Sequence, residues 1–172
     1  LILALEASGD LGGAAVLRGE TLVAEKLISA RRAHGQFLVP AIKEVLEEAK
    51  VGASTLDLIA VNHGPGSYTG LRVGLAAAET LAFVHKLPAL GVGAMEAMCE
   101  EVIRQGLVKE ETCTLLPCLD ARRDELIAAA FNFDHDTLTR ICEDTLLAPE
   151  SLQTLSQSTE TFCFGDASDI YA

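Results

Sequence analysis

Leu56-Asp57-Leu58-Ile59-Ala60-Val61-Asn62 runs directly into His63-Gly64-Pro65-Gly66-Ser67-Tyr68-Thr69-Gly70, and that loop into Leu71-Arg72-Val73-Gly74-Leu75. The first segment is short and apolar, the signature of a buried strand. The second is punctuated by glycine and proline, which break regular structure. The third opens a run to His85 that is apolar or small around almost the whole helical barrel. Strand, glycine loop and helix in that order predict an α/β fold.

The flanking segments extend the pattern. Leu1–Leu5 and Gly13–Leu17 are short apolar runs, and Leu22–Ile28 alternates after the turn Arg18-Gly19-Glu20, which predicts three strands in an antiparallel meander. From Phe37 onward, Leu38, Ile42, Val45 and Ala49 recur at helical spacing, with Lys43, Glu44, Glu47 and Glu48 between them. This is an amphipathic helix that tolerates Pro40 because it lies near the start. Pro88–Val92 gives a further strand, and Ala94–Gln105 a helix ended by Gly106. The pattern then resets: Thr114–Leu119 and Glu125–Phe131 flank the polar turn Asp120-Ala121-Arg122-Arg123-Asp124, which predicts a hairpin. Leu138–Leu147 is its pairing strand, Pro149–Leu155 a short helix and Thr161–Phe164 one more strand. Two α/β lobes are expected, 1–106 and 107–172, the second shortened.

Composition narrows the function. Of the 172 residues 49% are apolar and Trp is absent, so the core is built from Ala, Val, Leu and Ile. The formal net charge of −12 opposes an autonomous RNA binder, whose affinity comes from Lys and Arg on phosphates. If the chain serves RNA chemistry, a partner must supply the positive groove. Cys99, Cys113, Cys118, Cys142 and Cys163 show no Cys-x-x-Cys spacing, and with scattered histidines they suggest buried thiols in a reducing cytoplasm. The run at Leu1 meets Glu6 and Asp10 too soon for a signal peptide or a membrane span.

Candidate chemistry gathers at the glycine loop. Glycines between a strand and a helix let backbone N–H groups converge on an anion, so Gly64, Gly66, Ser67 and Thr69 are candidate anion or nucleotide contacts. The alternative is a tight turn that permits close packing. The loop lacks the Gly-Lys-Ser/Thr ending of a Walker loop. Arg122 and Arg123 are candidates to grip a phosphate or a partner's carboxylate; the alternative is a hairpin turn in which Asp120 caps backbone N–H groups. His34 has no visible acid or base partner and reads as a helix-start residue, and Ser67 has no His–Asp arrangement to make it a nucleophile.

Gly64-Pro65-Gly66-Ser67-Tyr68-Thr69-Gly70-Leu71-Arg72-Val73-Gly74 resembles the signature segment of the TsaB (YeaZ) family. His34-Gly35-Gln36-Phe37-Leu38-Val39-Pro40 is similar to that family's His-Ser-x-x-Leu-Leu-Pro, Pro88–Val92 to its next strand, and Asp120-Ala121-Arg122-Arg123-Asp124-Glu125 to its Asp-Ala-Arg-Arg turn. The resemblance runs from residue 1 to about residue 131, with a weaker match at Gly165-Asp166. It implies a two-lobed actin-like (ASKHA, ribonuclease H-like) fold whose usual length exceeds this chain. It also implies a shortened, non-catalytic relative of the transferase TsaD. Where the relative carries two metal-binding histidines at i, i+4, this chain has Ala94 and Met98, and at the superfold's nucleotide-gripping turn it has Glu6-Ala7-Ser8-Gly9-Asp10. No catalytic residue, metal or cofactor of its own is therefore expected, with ATP left as a ligand of the junction with a partner.

The resemblance further implies direct pairing with TsaD, with TsaE joining the complex and TsaC supplying the activated threonylcarbamoyl group. The product is threonylcarbamoyladenosine (t6A) beside the tRNA anticodon; tRNA is met only through the complex. The resemblance also implies that, without TsaD, the chain can self-associate as a homodimer through the same helices that pair with TsaD. The docking surface implied is the two long helices, through Leu38, Ile42 and Val45 on the first and Leu71, Arg72, Gly74, Leu75, Ala77, Ala78 and Leu81 on the second. Small Gly74 and Ala78 would admit a partner helix closely; the alternative is a helix sandwiched within its own chain. An actin-fold kinase or a glycoprotease-like metallopeptidase acting alone is the competing enzymatic reading.

Overall fold

The computed structural model describes residues 1–29, 34–156 and 160–171, which form two units, Leu1–Ala94 and Met95–Ala172. In the first, β1 (Ile2–Glu6), β2 (Leu11–Arg18) and β3 (Thr21–Ser29) form the expected antiparallel meander. Helix α1 (His34–Glu48) crosses back. β4 (Leu58–Gly64) then pairs parallel to β1, and α2 (Tyr68–His85) leads to β5 (Ala89–Gly93), parallel to β4. The sheet order is β3-β2-β1-β4-β5, the ribonuclease H-like arrangement.

Alternation decides which face is covered. Leu3 pairs with Val16 and Ile59, and Leu5 with Ala14 and Val61, so these side chains share one face, and all are buried. Both long helices lie on that face, α1 delivering Leu38, Ala41, Ile42 and Val45 and α2 delivering Ala78 into one core. Lys26 on β3 reaches Glu44 on α1 at 2.6 Å, an exposed pair that adds little.

The second unit holds, from Met95 onward, α3 (Ala94–Arg104), then β6 (Thr112–Arg122), β7 (Glu125–Asp134), β8 (Thr137–Leu147), a short 3-10 stretch (Pro149–Leu155), β9 (Thr161–Phe164) and α4 (Asp166–Tyr171). Its sheet order is β8-β7-β6-β9. Met95 and Cys99 of α3 pack with Cys113, Leu115, Phe131 and Phe133 on one face. Ala167 of α4 packs with Cys118, Leu126 and Ala128. Arg140 on β8 reaches back to α3, its guanidinium donating to Glu96 at 2.6 Å and to Asp144 at 2.9 Å over the ring of Phe131.

The division between units falls after Ala94, not after 106. Helical periodicity shows that α3 has a buried stripe, and only the packing shows that the stripe belongs to the second sheet. No helix among the described residues is long and apolar enough to cross a membrane. α4, six residues long, carries no strong sequence signal.

Candidate functional site

The end of β1 and the β4–α2 loop meet at the C-terminal ends of these two neighbouring interior strands of the first sheet. Ser67 caps α2, its Oγ accepting from Gly70 N–H at 3.4 Å, so the helix begins at Tyr68, earlier than the glycine spacing suggested. Ser67 N–H donates to the Ser8 carbonyl at 2.9 Å, tying the loop to the turn after β1. A Cβ at Gly70 would lie 2.0 Å from the Ala7 carbonyl oxygen, and one at Gly66 would lie 2.4 Å from Ser8 Oγ. These glycines are required by close approach of chain to chain. Gly64, with φ +124 ahead of a cis bond to Pro65, turns the chain out of the strand.

The turn after β1, rather than the glycine loop itself, holds a carboxylate of the chain's own. Glu6 accepts through Oε1 from the Ser8 and Gly9 backbone N–H groups, and through Oε2 from Asn62 Nδ2 at 2.5 Å. Asn62 Nδ2 also donates to Ser8 Oγ at 3.0 Å, and its Oδ1 accepts from Gly64 N–H at 2.8 Å. The amides of Gly64, Ser67 and Gly70 are thus committed to internal acceptors. Of the candidate contacts, Gly66, Ser67 and Thr69 are exposed and Gly64 is buried. The close-packing reading accounts for the glycines of the loop, and the carboxylate of Glu6 occupies the separate N–H groups of the turn after β1.

Arg122 and Arg123 lie in the β6–β7 turn with φ of 67° and 58°, followed by Asp124 at 61°. Asp120 Oδ1 accepts from Arg122 N–H at 2.8 Å, the capping role read from the sequence, and Asp166 Oδ1 in turn accepts from Asp120 N–H at 2.9 Å. Both guanidiniums are exposed and pair with no described carboxylate. Ala94 closes the first unit, while Met98 packs against the core of the second. His34 opens α1, but its side chain lies outside the described residues.

Several residues read as a docking surface lie inside the first unit. Leu38 and Val45 are 0% exposed, Ile42 6% and Ala78 1%, all in their own core, and Gly74 is also buried. Gly70, Gly74 and Ala78 are spaced by one helical turn and seat α2 on its own sheet; a Cβ at Gly74 would touch Val61 at 3.4 Å. The small-residue stripe therefore serves helix-on-sheet packing, not approach of a partner helix. Leu75, Ala77 and Leu81 are half-buried flanks of that core, Leu71 is half-buried as well, and Arg72 is exposed. The outward apolar surface is instead carried by Tyr68, Phe83 (87% exposed) and Val84 on α2 and by Phe37 and Val39 on α1. Arg72 stacks over the Tyr68 ring at 5.5 Å. Phe83 was legible in the sequence as part of an apolar helix surface that one sheet cannot cover on every face.

A family model described as TsaD, tRNA N6-adenosine threonylcarbamoyltransferase, matches residues 23–162. The TsaB of Bacillus subtilis is 30% identical over 83% of this chain and 60% of its own length. The Escherichia coli TsaB is 27% identical over 87% of this chain and 63% of its own. The chain thus spans less than two thirds of these relatives. The solved structure of YeaZ from Pseudomonas aeruginosa superposes with a TM-score of 0.74 at 26% identity, covering 87% of this chain and 67% of that one. The likeness therefore extends over most of this chain in sequence and in three dimensions: the chain belongs to the TsaB (YeaZ) family, within the wider group of tRNA N6-adenosine threonylcarbamoyltransferase-related proteins.

Proposed function

We propose that this chain acts in tRNA t6A modification as a non-catalytic scaffold that docks on a TsaD-type transferase. The observation that carries the proposal is the outer face of α2, where Tyr68, Phe83 and Val84 stand exposed on a helix whose inner face is already satisfied. An aromatic, apolar surface of this kind gains most by burial against another protein. The net charge of −12 supports contact with tRNA through the partner. TsaE and TsaC act in the same pathway, TsaE within the complex, and ATP binds at the junction with the partner. The filled nest around Glu6 favours this scaffold over an actin-fold kinase, which needs that turn free for phosphate.

The test is threonylcarbamoyl transfer to tRNA by purified TsaC, TsaD and TsaE, with the chain added, omitted, or supplied without TsaD. Activity that requires both the chain and TsaD is expected. Transfer without the chain, or by the chain in the absence of TsaD, would overturn the scaffold reading.

A further inference from the structure

β6 and β9 run parallel, with Leu116 opposite Cys163 and Pro117 opposite Phe164. Alternate side chains of a strand share a face, so Cys118 projects to the same side as Leu116 and reaches Cys163 diagonally. The two Sγ atoms lie 3.4 Å apart, and Cys118 Sγ also lies 3.3 Å from the Phe164 carbonyl oxygen. Cys118 is buried and Cys163 exposed. The hydrogen bond from the Cys118 thiol lowers the Cys163 thiol to about 7, while the same bond and burial push the Cys118 thiol up. The reactive sulfur therefore faces solvent with a second sulfur immediately behind it.

We propose that Cys163 is a site of reversible S-thiolation by a low-molecular-weight disulfide such as oxidised glutathione, resolved by Cys118 into an intrachain disulfide that staples β9 to β6. The Cys163 thiolate attacks one glutathione sulfur, forming a mixed disulfide and releasing one glutathione thiolate. Cys118 then attacks the Cys163 sulfur, losing its proton and expelling the second glutathione. Two protein thiols are oxidised and one glutathione disulfide is reduced to two thiols. The staple bears on the arginine turn, because β9 runs through Gly165 to Asp166, the acceptor of Asp120 N–H, and Asp120 caps Arg122. A Cβ at Gly165 would lie 2.0 Å from the Cys118 carbonyl oxygen, so this junction is already in tight contact.

The experiment equilibrates the chain in oxidised and reduced glutathione of graded ratio, quenches with an alkylating agent and maps peptides by mass spectrometry. A cross-linked peptide joining Cys118 and Cys163, lighter by two hydrogen atoms and reversed by dithiothreitol, is expected. The Cys118→Ser variant should stop at a glutathione adduct on Cys163, and Cys163→Ser should leave Cys118 a free thiol. A stable adduct on Cys163 of the unaltered chain with Cys118 still reduced, or both cysteines remaining free at the most oxidising ratio, would overturn the proposal.

Discussion

Gly70→Ala tests whether the glycine loop exists for packing. In an ordinary helix the change stabilises by up to about 1 kcal/mol. Here the new Cβ would meet the Ala7 carbonyl oxygen at 2.0 Å, its carbon at 2.8 Å and Ser8 Cα at 2.9 Å, where ordinary contact begins at 3.4 Å. All three are backbone atoms of a turn pinned by Glu6 and by Ser67 N–H, so no side chain can rotate aside. The first turn of α2 must lift off β1 by about 1 Å, an overpacking strain of about 3 kcal/mol, the upper end of the usual range. Net destabilisation of about 2 kcal/mol follows, lowering Tm by about 4–8 °C in a chain of this size. Urea and thermal unfolding followed by circular dichroism would measure it. Gly52→Ala serves as control, because its Cβ would meet only Ser54 Oγ at 3.8 Å. A Gly70→Ala protein as stable as the parent would refute the close-approach reading and return the loop to ligand binding.

Replacing Phe83 with Glu should leave unfolding within about 0.5 kcal/mol of the parent, since the ring is exposed, yet abolish co-purification with TsaD. Replacing Ala78 with Glu should instead unfold the protein, because that position is 1% exposed; retained pairing in Phe83→Glu would sink the assignment of the outer α2 face. Glu6→Ala removes the carboxylate that accepts from the Ser8 and Gly9 N–H groups and one of the two acceptors of Asn62 Nδ2, for an expected loss of about 1–3 kcal/mol, and Glu6→Gln should recover part of it. Denaturation of the two variants separates these outcomes, and an unchanged midpoint in Glu6→Ala speaks against the internal anion. Cys163 alkylation should rise with pH and reach half its maximum at about 7, because the thiolate is the reactive form, whereas Cys99, pushed up to about 12 by burial, should stay unreacted throughout. A Cys163 profile centred in the ordinary thiol range removes the Cys118 hydrogen bond from consideration.

Much of this protein is local and therefore written in its sequence. Alternation in Leu22–Ile28, the apolar run at Leu58–Asn62 and the glycine loop before α2 each depend on neighbours a few residues away, and the structure places β3, β4 and α2 there. The same holds for the hairpin around Asp120 and for the short strand Thr161–Phe164. The family was legible for the same reason, since its signature is a continuous segment.

Which surface each stripe meets was not local. A period of 3.6 shows that Leu38, Ile42 and Val45 share a face but cannot say whether that face meets a partner or its own sheet; the tertiary structure gives them to the sheet. Gly74 and Ala78 likewise read as an invitation to another helix until the crossover connection laid α2 on β4 and β1. Glu6 and Asn62 are 56 residues apart, and Cys118 and Cys163 are 45 apart, so no motif spacing announces either pair. Sequence by itself determined most of the elements, their order and the family. Only the folded chain decided which apolar faces were consumed by its own sheets, which carboxylate filled the N–H nest and which sulfurs came within reach, because parallel pairing joins residues through connections whose length carries no record of the contact they create.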